Sequence, residues 1–295
     1  MAKYSDDWDA VSGLGRTALA TAAGRAIETT RTNGLVNDPF AKQFVVEAKS
    51  PTPMPTELAD PVDRTSEFDR RWDIISMAVG VRTRFFDQHL LEASRTGCEQ
   101  AVILAAGLDT RAYRLELPPG TKLFEVDKPG VHEFKQRVLN GLRANPLCDR
   151  RTVSCDLRDD WIEPLAAAGF EPGRPTCWLI EGLTAYLTGD EETRLFKSLH
   201  DVSTSGSYLG FDHPADPDEL RRDTYQANSQ YGFDLAALLV TDSAKDPVGY
   251  LRSIGWEVAT TGPAKDATLY CGRHNPYGSR DLAHKWLFSR AVLRG

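Results

Sequence analysis

The chain has 295 residues, 41% of them hydrophobic and 26% charged, enough to bury a sizeable core without staples and too apolar for a disordered chain. Its 35 Lys and Arg against 42 Asp and Glu leave a net charge of -7, with no basic tail or stripe, which argues against nucleic acid or an anionic membrane face as partner. Five cysteines (Cys98, Cys148, Cys155, Cys177 and Cys271) form no CxxC pair and have no His at zinc-ligand spacing, so they predict reduced, mostly buried thiols and no metal site.

The N-terminal residues show no apolar signal core, and no window approaches the roughly 18 apolar residues of a membrane helix. The expectation is a soluble, cytoplasmic protein.

Along the chain, small residues recur at helical spacing from Gly13 to Arg31, which predicts a helix packing closely on another surface. Residues 49–61 hold four prolines and read as a connecting loop. From about Asp69 to Ser94, Trp72, Ile75, Val79, Phe86 and Ala93 recur at steps of three and four, a core-facing stripe on which Arg82 also falls.

Short apolar runs separated by helical stretches then predict βαβ units with buried parallel strands at 101–106, 122–126, 151–155, 176–181 and 207–211. Two more runs follow at 256–260 and 286–292, and their close succession predicts an antiparallel seventh strand. Between the fifth and sixth strands lies a long polar interval, 213–248, with a helix expected near 217–229; so long an interval suggests a lid. The fold class is α/β.

The chemistry centres on residues 103–111 (ILAAGLDTR), where a buried strand runs into a turn of small residues that lets a ligand approach the backbone around Ala106 and Gly107. Alone, such a turn is equally a tight strand-to-helix connection. Asp127 ends the second strand 20 residues after Gly107, where a doubly wound fold places the carboxylate that accepts both ribose hydroxyls. Asp156, ending the third strand, is placed to accept from an adenine amine while the Leu157 amide meets a ring nitrogen, or simply to cap a helix.

Arg82 has Ala78, Val79, Phe85 and Phe86 three and four residues away, so its guanidinium enters an apolar setting and needs an anion. Arg84 has Asp87 within reach as a local surface partner. Glu181 ends the fourth strand, where a buried carboxylate needs a cation, either from a ligand or from a nearby Arg.

Four segments, RTRFFD at 82–87, AGLDTRAYRL at 106–115, EVDKP at 125–129 and EGLTAYL at 181–187, make the chain resemble, over nearly its whole length, the actinobacterial S-adenosylmethionine-dependent methyltransferases related to leucine carboxyl methyltransferase. The resemblance implies a class I methyltransferase, a Rossmann-like seven-stranded sheet with its last strand antiparallel. Residues 1–98 would form an N-terminal helical cap and residues 99–295 the S-adenosylmethionine-binding domain, with a lid insert at about 213–248. It also implies that Gly107 lies under the methionine part of the cofactor, Asp127 binds ribose, Asp156 and Leu157 bracket adenine, Arg82 meets the cofactor carboxylate and Glu181 lies beside the methionine end. One departure is Ala105 where such folds often show the first Gly of Gly-x-Gly; an alanine costs little at negative φ, so a slightly different turn is expected.

S-adenosylmethionine is already activated, so the expected reaction is O-methylation of a small molecule, such as a polyketide acid, by alignment and exclusion of water. An acceptor carboxylate is ionised near pH 7 and needs no base, whereas a phenol does. Tyr186 is the candidate for orienting the acceptor and His213 the candidate base, each with a packing or turn role as the plainer reading. Trp8, Tyr231 and Phe233 are candidate aromatic walls for a flat apolar acceptor, or lid-packing residues. Two alternatives stand beside this: a nicotinamide-dependent oxidoreductase on a similar sheet, and a non-catalytic protein that binds S-adenosylmethionine.

Overall fold

The structure, a computed structural model, describes residues 9–231, 236–242, 245–278 and 282–294. Three helices precede the sheet: α1 (Gly13–Thr30), α2 (Ala41–Ala48) and α3 (Glu67–Arg95). α1 buries Leu19, Ala22, Ala23 and Ile27, and its small side chains let it cross α3 closely. At Gly24 a β-carbon would come within 3.0 Å of the Val79 side chain, so the crossing is set by the absence of one. α3 starts at Ser66, whose hydroxyl accepts from the Asp69 amide at 3.2 Å, and Glu67 and Asp69 favour its positive end. The stripe Trp72, Ile75, Val79, Phe86 and Ala93 is buried throughout.

α2 is absent from the sequence expectation, because eight residues are too few for a helical period to show. It is held by Phe44 and Val45, both buried.

Seven strands follow: β1 (Gln100–Leu104), β2 (Lys122–Asp127), β3 (Asp149–Ser154), β4 (Thr176–Ile180), β5 (Tyr208–Pro214), β6 (Trp256–Thr261) and β7 (Trp286–Leu293). They form one sheet in the order β3-β2-β1-β4-β5-β7-β6, with β1 to β5 parallel and β7 antiparallel to both of its neighbours. The helices α4 (Arg111–Arg114), α5 (Pro129–Gly141), α6 (Ile162–Ala167), α7 (Gly189–Asp201), α8 (Pro217–Tyr231) and α9 (Pro247–Ser253) lie between the strands.

Alternation along the strands feeds two apolar layers. Ile103 and Leu179 pack with α1 and α3 on one face, while Val102, Leu104, Trp178 and Phe211 pack with Trp161, Phe196 and Leu251 on the other. Strand order reverses between β1 and β4, so the carboxyl ends of those two strands open a crevice, the place where open α/β sheets bind ligands.

A buried ion pair ties the first helix to a segment far along the chain: Glu28, wholly buried, accepts from Arg273 at 2.7 Å and from the Leu35 amide at 3.0 Å. Cys98 and Cys177 are buried, whereas Cys271 is exposed and Cys148 and Cys155 are half-buried, so fewer thiols are enclosed than expected. Among the described residues no helix is long and apolar enough to cross a membrane.

Candidate active site

A cavity of about 440 Å³ opens over the crevice. Its floor is the strand tips, with Ala106 and Gly107 after β1, Asp127 of β2, Asp156 and Leu157 after β3, and Glu181 after β4. α1 supplies one wall through Leu14, Thr17, Ala18 and Thr21, α3 supplies Arg82, and the turn after β4 supplies Leu183 and Tyr186. Seven strand-tip and helix positions singled out from sequence therefore meet in one place, and Tyr186 joins them.

The turn after β1 differs from expectation. Ala105 has φ 54°, in the left-handed region, and Gly107 has φ 48°. An alanine held there costs about 1–2 kcal/mol relative to the right-handed region. We predict that Ala105→Gly stabilises the fold by roughly 0.5–1 kcal/mol, the strain relief less the extra freedom of glycine in the unfolded chain. A urea midpoint that rises at unchanged slope would show it, and a lower midpoint would refute it.

Asp127 ties the first two strand tips together. One carboxylate oxygen accepts from the Gly107 amide at 2.6 Å and the other from the Lys128 amide at 2.7 Å. Burial nevertheless raises its carboxyl above the ordinary value, against the pull of those amides. Asp156 caps no helix; it accepts from the Arg158 backbone at 3.0 Å and from its guanidinium at 2.9 Å, and it pairs with Lys128 at 3.3 Å. The Arg158 hydrogen bond holds its carboxyl far below the usual range.

Beneath the β1–β4 crevice lies an ion network that sequence reasoning does not assemble. Arg82 donates to Glu181 at 2.9 Å and to Asp212 at 3.4 Å. Arg111, almost wholly buried, binds Glu181 at 2.8 Å, Asp87 at 2.7 Å and also Asp109. Arg114 completes the set on Asp87 at 2.5 Å. Asp87 thus belongs to Arg111 and Arg114 rather than to Arg84, which corrects the local pairing expected on the helix surface. Burial drives Glu181 upward, but Arg111 and Arg82 outweigh it and keep the carboxyl below its ordinary value.

His213 does not join the cavity. Its ring stacks on Phe211 with centroids 5.7 Å apart and reaches Ser289 at 3.5 Å. Phe211 packs on Phe196 of α7, so His213 faces the α7 side of the sheet while its neighbour Asp212 faces α3 and Arg82. Burial lowers its pKa to about 4. Trp8 and Phe233 lie outside the described residues, as does the side chain of Tyr231. The cavity instead receives Leu238, from the 213–248 interval, and Trp286, which opens β7; neither was named from sequence as a cavity wall.

Comparison with known proteins bears on the fold and the family. A DUF574 family protein from Streptomyces avermitilis superposes with a TM-score of 0.59 over 93% of this chain and 96% of that one, at 13% identity, and shares the fold. A Rhodococcus jostii protein named as a candidate S-adenosyl-L-methionine-dependent methyltransferase is 44% identical over 277 residues, covering 92% of each chain. A similarly named protein from Mycobacteroides abscessus is 40% identical over 286 residues, covering 95% of each.

The sheet order, the antiparallel β7 and the cavity over the switch point define a class I S-adenosylmethionine-dependent methyltransferase. The chain belongs to the leucine carboxyl methyltransferase family, whose model matches residues 18–200. A nicotinamide-dependent oxidoreductase is set aside on this ground.

Proposed function

We propose that the chain moves the methyl group of S-adenosylmethionine to a carboxylate oxygen of a small, largely apolar acceptor. The observation that carries the reading is the convergence of Gly107, Asp127, Asp156, Leu157, Arg82 and Glu181 on one cavity. In this reading Asp127 takes the ribose hydroxyls, the Asp156–Leu157 tip takes adenine, and the methionine end lies beside the Arg82–Glu181 pair, with its carboxylate on Arg82. Residues 1–98 act as a cap through α1 and α3, and the 213–248 insert acts as the lid, except for its ends: residues 213 and 214 belong to β5, paired with β7, and residues 247 and 248 begin α9.

Two features favour a carboxylate over a phenol as acceptor. Glu181 is held ionised by two guanidiniums, which makes it a weak base for a phenol proton, and His213 is packed on the other face of the sheet. A carboxylate needs no base, only alignment along the line of the carbon–sulfur bond and removal of water. Leu183, Leu187, Leu238 and Trp286 give the cavity an apolar side suited to such an acceptor, with Tyr186 placed to orient its oxygen.

The direct test supplies S-adenosylmethionine and a panel of apolar acids and phenols and measures S-adenosylhomocysteine release. Turnover with phenols alone would overturn the carboxylate assignment, and tight cofactor binding without turnover on any acceptor would favour a non-catalytic binding protein. Arg82 offers a second test, since it lines the cavity: Arg82→Met should weaken cofactor affinity about tenfold or more beyond Arg84→Met, from the loss of a charge-assisted contact. Equal effects in calorimetry would remove Arg82 from the site.

A further inference from the structure

Asp212 lies in β5, two residues before its end at Pro214, with no exposure and in contact with Gly182 and Arg82, which both line the cavity. One carboxylate oxygen accepts from the Gly182 amide at 2.7 Å, and the other meets Arg82 at 3.4 Å. Its network holds three guanidiniums (Arg82, Arg111, Arg114) against four carboxylates (Asp87, Asp109, Glu181, Asp212), an excess of one negative charge.

The excess resides on Asp212. Asp87, Asp109 and Glu181 each have a guanidinium within 2.9 Å, whereas Asp212 shares Arg82 with Glu181 at a longer distance.

Building on the proposed cofactor reading, we infer that Asp212 is a positioning residue for specificity, one that lets the site tell the methyl donor from its demethylated product by charge. The donor carries a sulfonium. On transfer the carbon–sulfur bond breaks with its electron pair left on sulfur while a carbon–oxygen bond forms to the acceptor carboxylate, so the product thioether is neutral. A negative excess under the methionine end therefore attracts the donor more than the product, and the difference is largest while Asp212 is ionised.

The surroundings make that ionisation sensitive to pH. α3 presents Arg82 to Asp212, the β4 tip presents Glu181, and Tyr186 lies on the turn beyond, close enough to Arg82 to act on its charge. Across the strand pair β7 offers apolar Phe288, while Arg290, two residues along, is turned to Glu92 at 2.8 Å. Burial, only partly offset by Arg82 and the Gly182 amide, raises the Asp212 carboxyl to about 6. Its protonation below that pH removes the excess charge.

The experiment measures dissociation constants of S-adenosylmethionine and S-adenosylhomocysteine by calorimetry on the whole chain from pH 5 to 7 at fixed ionic strength. The ratio of the product constant to the donor constant should rise about tenfold from pH 5 to 7, and Asp212→Asn should hold it near its pH 5 value throughout. Glu192, raised to about 7 by burial on α7, titrates in a nearby window, so Glu192→Gln is the control and should leave the rise intact. A flat ratio in the unaltered chain, a rise that persists in Asp212→Asn, or a rise lost in Glu192→Gln would each overturn the inference. Should the asparagine variant not fold, the unaltered chain and Glu192→Gln decide the matter by the same criteria. Failure of both ligands to bind at every pH would instead overturn the cofactor reading.

Discussion

Asp127→Ala should abolish measurable cofactor binding while the chain remains folded. The carboxylate sits on the cavity floor and each oxygen already accepts one backbone amide, leaving its remaining lone pairs for ribose hydroxyls. Two hydrogen bonds to a charged acceptor contribute about 1.5–3 kcal/mol each, so affinity should fall on the order of 10²–10⁴-fold.

Survival of the fold follows from the sign of the titration. Burial raises the Asp127 carboxyl above its unfolded value, so its contribution to stability is complete at low pH and is lost as pH rises through the folded value. At neutral pH the ionised group burdens the unliganded fold. The two amides it caps face a cavity where water can replace it. Unchanged affinity in calorimetry would show that ribose binds elsewhere, and a collapsed thermal transition would show that Asp127 is structural.

The largest effect on stability is expected at Arg111. Its guanidinium is almost wholly buried and holds Asp87, Asp109 and Glu181 together, so Arg111→Met would leave carboxylates buried without their cation. Breaking such a pair costs about 3–5 kcal/mol, and urea denaturation should show a loss of that size. Arg111→Lys should recover only part of it, because a point-like ammonium cannot fork to three carboxylates at once. A loss under about 1 kcal/mol in Arg111→Met would mean that Arg114 and Arg82 take over the carboxylates, as a surface-like pair would allow.

The sheet was legible because parallel strands buried on both faces read as unbroken apolar runs, and AVILAA and TCWLIE sit within a residue or two of β1 and β4. The place of Asp127 on the cavity floor was legible because a fixed step separates the first turn from the end of the second strand. The ion network was not, since its pairs join residues such as Arg82 and Asp212 that stand 130 positions apart. No local pattern announces a partner at that separation.

His213 shows a sharper limit. In a strand, neighbouring residues face opposite ways, so naming a position near a site without its phase selects the wrong side. The titratable side chain that reaches the network is the preceding one, Asp212. Ala105 shows another, because nothing in an Ala-Ala-Gly string states which residue takes positive φ.

The placement of β7 between β5 and β6 governs the order in which the molecule can be completed. During synthesis on the ribosome, the chain through β5 emerges with its fifth strand as a bare edge, and β6 follows with no neighbour in the sheet. Both wait for residues 286–293, which pair with each of them in turn. Until then the nascent chain carries an unpaired strand that invites pairing with other chains, so chaperone dependence should concentrate in the interval before the final strand is released.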